Sequence, residues 1–487
     1  MNARMELLDQ SVYTCPPHGF ELREDGIWHK ASNNNDGADW TWLCSPIRVL
    51  SLPRDSSGKG WGRLVEVVDP DGKAHRWAIP ASLFSGDGIE LRAGLLYLGL
   101  NLAPGRKARD ALMVLLMSWQ PAARAITTNR LGWADGTCTA FVLGDGRVLG
   151  DRDVVYQHEH VPATVAEMKE EGTQPEWREA VGQNCSGNVL MVLAVSVAFT
   201  GPLLEPLGMD GGGIHLRGAS SRGKSTVLHV AISVWGAPGF LHNWRATANG
   251  LEGLASASNG SLLALDELGQ ISGRDAGQAV YMLANGRGKA RANKSGLARP
   301  VLRWHTMVLS TGEITLADKM AEAGGRAAAG QAVRLLDIAA DNRTYGAFDI
   351  LHGASSGAAF SDRLREATAT LHGTAGPAFV RAFLKNPEAK KEQVRQSICG
   401  FKDLAMTRYN GSNEGQLQRA ITRFGLIAAA GELATSFGLT GWAQGEARDA
   451  ALDVLGLWLD GRGGNGPSEA REALERVRAF LVSDGSA

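Results

Sequence analysis

The chain predicts an α/β protein: a central region of alternating strands and helices, a β-rich part before it and a mostly helical part after it. Three observations carry that expectation. Residues 213 to about 345 alternate extended and helical patterns, the mark of a parallel sheet with crossover helices. The first 160 residues place Asp-Gly and Asp-Pro-Asp-Gly turns between β-branched and aromatic runs. Beyond 356 the chain is rich in Ala and Leu and reads as helix, as in GQLQRAITRFGLIAAAGELATSFG. A length of 487 residues is too great for one core. The expected division is a β-rich domain (1–160), a helical connector (161–210), an α/β core (211–355) and a helical C-terminal region (356–487).

Element by element, GFELREDGIWHK carries Asp-Gly between extended segments, and WTWLCSPIRVLSL is β-branched and aromatic. WGRLVEVVDPDGKAHRWAIP reads as a hairpin. ALMVLLMSWQPAARAITT is more helical, and RLGWADGTCTAFVLGDGRVLGD is a second β cluster with two Asp-Gly turns. AEMKEEG and EWREAVGQN look helical. The apolar run VLMVLAVSVAF, Val189 to Phe199, is shorter than the roughly 20 residues of a membrane span. A Gly-Pro pair ends it, so it is expected as a buried helix. Near the C-terminus, DGRGGNGPSE (Asp460 to Glu469) is a linker or loop, and SEAREALERVRAFLVSDG a helix.

Formal net charge is −1, so binding to nucleic acid needs a local basic patch. Cys15, Cys44, Cys138, Cys185 and Cys399 are far apart without a CxxC pair, which speaks against a zinc cluster or disulfide framework. The start lacks the apolar stretch of a signal peptide. A soluble cytoplasmic protein with no membrane partner and no structural metal is expected. Trp28, Trp40, Trp42, Trp61 and Trp77 are read as core or hairpin residues rather than base-stacking ones.

The chemistry concentrates at Gly218, Ala219, Ser220, Ser221, Arg222, Gly223, Lys224 and Ser225, with Thr226 following. They fit G-x-x-x-x-G-K-[ST] without a mismatch. The extended Ile214-His215-Leu216 precedes the motif and an apolar helical run follows. Such a loop turns backbone N–H groups around phosphates, and the helix N-terminus adds a favourable dipole. Lys224 would bridge the β- and γ-phosphates and Ser225 would ligate Mg²⁺. SLLALDELGQ is an apolar strand ending in two acids: Asp266 to hold the metal's water shell, Glu267 to orient the attacking water. A third strand, Trp304 to Glu313, ends in Ser310-Thr311, either of which suits a γ-phosphate sensor.

Between the second and third strands lie Arg287, Lys289, Arg291, Lys294, Arg299 and Arg303, with no acid from Asn285 to Trp304. Their Gly- and Asn-containing surroundings suit a projecting hairpin that contacts DNA phosphates. After the sensor strand come Arg326 and Arg334, candidates for the cation that stabilises charge on the transferred phosphoryl. Arg334 is preferred because it opens the strand-like run LLDI.

In series, GASSRGKST, WRATANGLE, LLALDELGQ, YMLANGRGKARA, VLSTGE and AGQAVRLLDI resemble a family long labelled only as a domain of unknown function. It occurs in prophages, plasmids and chromosomal islands as replicative helicases or primase–helicases. LGWADGTCTAFVLGD, HGTAGPAFVRAF and RFGLIAAAGELAT extend the resemblance over roughly 125–480. The resemblance implies a P-loop ATPase core of the additional-strand (AAA+) class, related to superfamily-3 and minichromosome-maintenance-like helicases. These act as rings, commonly hexamers, with ATP and Mg²⁺. It assigns Lys224 and Ser225 to nucleotide and metal, Asp266 and Glu267 to metal and hydrolysis, and the 287–294 hairpin to single-stranded DNA. No zinc-binding cysteines mark a primase in the first 125 residues, so a separate primase or initiator is a possible partner. The expected function is an ATP-driven helicase translocating on single-stranded DNA to replicate a mobile element. The alternative is an ATP-switched initiator or loader without processive unwinding. A small-molecule phosphotransferase fits the paired acids and the basic hairpin poorly.

Overall fold

Hairpins open the fold where the Asp-Gly turns put them. The computed structural model describes residues 15–30, 39–151, 153–157, 167–290, 301–325, 329–411 and 414–464. They fall into two units, 1–129 with 151–160 and 130–150 with 161–487. In the first unit β1 (Phe20–Arg23), β2 (Gly26–Lys30) and β3 (Trp40–Cys44) form an antiparallel sheet. β4 (Ile47–Arg54), β5 (Gly62–Val68) and β6 (Ala74–Pro80) form a meander, its last turn pinned by Asp69 Oδ1 accepting from the Lys73 amide at 2.8 Å. Helices α1 (Ile89–Tyr97) and α2 (Arg106–Ser118) cover it. Leu91, Leu95, Leu112 and Leu115 join Ile27, Ile47, Val65 and Ile79 in one buried core. The run ARAITT, expected to continue the helix, is instead β7 (Arg124–Thr128), parallel to β4. Pro121 follows the end of α2, and Ile126-Thr127-Thr128 is a β-branched run suited to a strand.

The chain then contributes β8 (Gly132–Trp133), β9 (Ala140–Val142) and β10 (Val148–Gly150) to the second unit, before β11 (Val154–Tyr156) pairs with β7. A single boundary at 160 is therefore not what the structure has. Trp133 and Phe141 are buried in the second unit's core, and the Asn259 side chain donates to the Leu131 carbonyl. The second unit continues with α3 (Gln174–Trp177) and α4 (Gln183–Cys185), joined by a π turn over Arg178–Gly182. Lys169 to Gly172, expected as helix, is not helical: Glu171 exchanges both backbone hydrogen bonds with His372 at 2.9 and 3.0 Å, and Gly172 turns at φ 74°.

Helix α5 (Val189–Leu207) is the centre of this unit rather than part of a connector, and its residues from Leu190 to Leu204 are all buried. Nor does Gly201-Pro202 end it. A proline removes the N–H that would satisfy the carbonyl four residues back. Pro202 orphans the Ala198 carbonyl and Pro206 orphans that of Pro202. The Trp235 indole N–H donates to Ala198 and the Trp133 indole N–H to Pro202, each at 2.8 Å. Two tryptophans thus repair the helix that two prolines interrupt.

There follow β12 (Gly212–Arg217), α6 (Lys224–Ile232), β13 (His242–Asn243), α7 (Ala248–Ala257), β14 (Leu262–Asp266), α8 (Gly273–Asn285), β15 (Met307–Gly312), α9 (Leu316–Ala321), α10 (Ala329–Ala332) and β16 (Leu335–Ala339). The strands are parallel in the order β13-β14-β15-β12-β16. Near-continuous apolar runs such as LLALD are buried because both faces are covered. Leu262, Ala264 and Leu309 face the core built on α5, whereas Leu263, Leu265 and Val308 face the one that holds Leu251 of α7 and Val280 of α8. The expected helical C-terminal region is α11 (Gly357–Thr370), α12 (Ala375–Leu384), α13 (Pro387–Arg408), α14 (Gly415–Ser436) and α15 (Glu446–Arg462), with α14 and α15 packed on α5. SEAREALERVRAFLVSDG lies outside the described residues.

Candidate active site

Parallel strands bring their carboxyl ends to one edge, and that edge gathers residues distant in sequence. Beyond β12 the backbone turns through left-handed conformations at Ser221 (φ 59°) and Gly223 (φ 91°) before α6 begins at Lys224. Gly223 has a second reason to be glycine: a Cβ there would come within 2.7 Å of the Phe348 ring. The buried Lys224 ammonium donates back across the loop to the Gly218 and Ala219 carbonyls at 2.7 and 2.6 Å. The ammonium therefore sits beside the amino end of α6, where a helix dipole favours negative charge.

The segment after β16 clamps this loop. The Ala219 amide donates to Asp341 Oδ2 at 2.8 Å, and the Ala347 amide to the Arg222 carbonyl at 2.8 Å. Arg343 pairs with Asp349 at 2.7 Å, and Asn188 Oδ1 accepts from the Asp349 and Ile350 amides at 2.8 and 3.0 Å. Arg222 and Ser220 are left exposed, and Thr226 is buried in α6.

Asp266 ends β14 and is the hub. Its Oδ2 accepts from Ser225 Oγ at 3.4 Å, and its Oδ1 accepts from the Thr311 hydroxyl and from the Glu267 amide at 3.1 Å. Glu267 itself sits at φ 62°, a conformation that costs a non-glycine residue about 1 kcal/mol or more and recurs at functional sites. Its carboxyl is pushed above the usual carboxylate range, by burial first, then by Asp266 and Glu313, with Lys224 opposing. His229, one turn beyond Ser225 on α6, is lowered by burial and by Arg365, with Asp266 pulling the other way.

Strand alternation separates the two sensor candidates. Thr311 faces Asp266, whereas Ser310 is buried on the other side, bonded to His215 Nδ1 at 2.9 Å and to the Trp244 indole at 2.8 Å. Arg334 stands at the amino ends of the strands, opposite its own phosphate loop. It lies 4.2 Å over the Tyr281 ring and donates to Asn285 at 3.2 Å and to the Gly330 carbonyl at 2.7 Å. Arg423 of α14 is beside it, donating to the Val333 and Gly211 carbonyls. Burial, then the nearby Arg334, push its guanidinium down to about 10.

The basic run begins at this same edge. Arg287 and Arg303 bridge antiparallel, and the Gly288 amide donates to the Leu302 carbonyl at 2.9 Å, so the segment starts and ends as a hairpin. Arg287, Lys289 and Arg303 are exposed. Arg291, Lys294, Arg299 and Arg326 lie outside the described residues. Sequence reasoning missed Asp341, Glu313 and His215. Of these, His215 left a signal, a polar residue inside the buried run GGIHLR.

Residues 20–303 match the family model described as "Domain of unknown function (DUF927)". The chain belongs to that family. The solved structure titled "SCCmec type IV Cch - active helicase" is similar to it, with a TM-score of 0.71 and 18% sequence identity over 96% of this chain and 82% of that one. At that identity the likeness is one of fold. No curated protein matches the chain. As a member of DUF927, it shares its mixed α/β architecture, from β-rich start to helical end, with a protein titled as a helicase.

Proposed function

We propose that this DUF927 protein is an ATP-dependent DNA helicase, a ring-forming motor that translocates on single-stranded DNA to replicate a mobile genetic element. The observation that carries the reading is the constellation at the sheet's carboxyl edge: Lys224 and Ser225 on one strand–helix turn, Asp266 within 3.4 Å of Ser225, and Thr311 bonded to Asp266. β15 lies between β12 and β14, as expected for an additional-strand (AAA+) ATPase. The fold shared with a helicase from a mobile element supports the partner and the setting.

The residues fit a nucleotide with its metal. The turned amides and Lys224 would hold the phosphates, and Ser225 with Asp266 would hold Mg²⁺. When bound, the metal would neutralise charge on the phosphates. Glu267 would orient water through its carboxylate, and Thr311 would hold the opposite side of the transferred group. Arg334 is too far from its own loop to act there, so as a finger it would serve a neighbouring copy's site. That supports a homo-oligomeric ring, a hexamer by resemblance. The basic hairpin would then track the strand's phosphates.

The test is ATP turnover and strand displacement with and without single-stranded DNA. DNA should raise turnover, a partial duplex should be unwound, and Lys224→Ala should abolish both. Turnover indifferent to DNA, with no strand displaced, would end the helicase reading.

A further inference from the structure

His215 belongs to none of the roles above, yet its ring is the surface on which the end of β15 is folded. It is wholly buried on β12, directly opposite Ser310 in the sheet register. Its Nε2 lies 3.0 Å from the Ile314 carbonyl oxygen, which can only accept, so Nε2 carries the proton. Burial keeps the ring neutral, so Nδ1 is an acceptor and the Ser310 hydroxyl donates to it across 2.9 Å. The Ser310 oxygen in turn accepts from the Trp244 indole at 2.8 Å, and the Trp244 amide donates to the Asp266 carbonyl at 3.1 Å. Every proton in this relay has one direction, and the relay works only with a neutral imidazole. Burial, reinforced by Arg217 and Lys224, lowers the imidazole to about 4 against the pull of the Ile314 carbonyl.

The ring also leaves little room for a side chain on the residue between. A Cβ on Gly312 would come within 3.1 Å of His215 Cε1. Residues 310, 312 and 314 thus rest on one imidazole, while Thr311 points the other way to Asp266. The Gly312 carbonyl accepts from the Gly218 amide at 3.1 Å, so the same turn also anchors the first residue of the phosphate loop.

We infer that His215 is a positioning residue for nucleotide hydrolysis, holding the 310–314 turn so that Thr311 meets Asp266 and the phosphate loop keeps its place. This rests on the ATPase reading of the site. A ring that only filled space would be replaceable at the cost of stability alone. A template for the turn must change the rate of the chemical step.

The experiment uses the full chain with His215→Ala, His215→Gln and Ser310→Ala. It measures ATP turnover against ATP concentration, nucleotide affinity, and hydrogen–deuterium exchange over residues 307–316. His215→Ala should lower kcat about tenfold or more while ATP affinity stays within about twofold, since small misplacements of reacting groups carry such penalties. Exchange at 311–314 should quicken. His215→Gln, whose amide offers one acceptor and one donor, should recover part of the rate. Ser310→Ala removes the donor with little change in volume, so it keeps the test open if His215→Ala does not fold. A folded His215→Ala or Ser310→Ala protein with wild-type kcat would overturn the inference, as would a loss proportional to lost affinity. If the wild-type protein hydrolyses no ATP, the ATPase reading fails instead, and unchanged exchange at 311–314 would still refute the positioning role.

Discussion

The two edges of the parallel sheet differ in charge and in completeness. The carboxyl edge holds the acids Asp266, Glu267, Glu313 and Asp341 with the Lys224 ammonium, and Lys224, Asp266, Thr311 and Asp341 already have hydrogen-bond partners there. The amino edge gathers Arg287, Arg303, Arg334 and Arg423, and among the described residues Arg334 is held by a ring face, an amide and a carbonyl rather than by a carboxylate. At the first edge the acids and the ammonium share partners within one chain; at the second, Arg287 and Arg303 are exposed while Arg423 donates to two carbonyls. β15 joins them, leaving the hairpin at one end and delivering Thr311 at the other.

Arg334→Ala strikes that contrast hardest. If the amino edge serves a neighbour's site, turnover in the assembled protein should fall about 10³-fold with nucleotide affinity kept. Mixing Arg334→Ala with Lys224→Ala subunits should restore part of the activity, because some interfaces then pair an intact loop with an intact arginine. No rescue on mixing would remove the finger from this residue.

Glu267→Gln should cost about 10²-fold or more in turnover, as expected for loss of a general base. In the wild type, rate should fall as pH drops through the raised Glu267 value, because the protonated acid cannot orient water. Stability moves the other way. A folded-state pKa raised above the ordinary 4.5 means stability declines as pH rises through the window between the two values. Glu267→Gln should therefore be slightly more stable at neutral pH, with the advantage gone below 4.5, as read by thermal unfolding across pH.

Effects at the hairpin should be smaller. Arg287→Ala and Lys289→Ala should each weaken single-stranded DNA binding several-fold, with the slope of log affinity against log salt falling by about 1 per residue. An unchanged slope would place the DNA elsewhere. The smallest change in function belongs to Trp235→Phe, which should leave turnover intact and cost about 1–3 kcal/mol in denaturant unfolding by orphaning the Ala198 carbonyl inside α5.

How much was legible in the sequence follows from distance along the chain. The loop 218–225 and the acids 266–267 are local patterns, and the strands and helices around them form where the periodicity put them. The choice between Ser310 and Thr311 was not legible, because it depends on β15 lying between β12 and β14, which no local pattern states. Residues 130–150 look like the hairpins before them, yet the groups that hold them, the Pro202 carbonyl and Asn259, come much later in the chain. Likewise Gly201-Pro202 reads as a stop unless one knows that two indoles satisfy the carbonyls the prolines strand.

The central claim is that the basic edge of one copy completes what the acidic edge of another begins. Its most direct test is the mass of the assembly in solution, with and without a non-hydrolysable ATP analogue and single-stranded DNA. The account predicts a closed ring, six copies favoured, that forms or tightens when both are present. A 51.7 kDa monomer under every condition would contradict it.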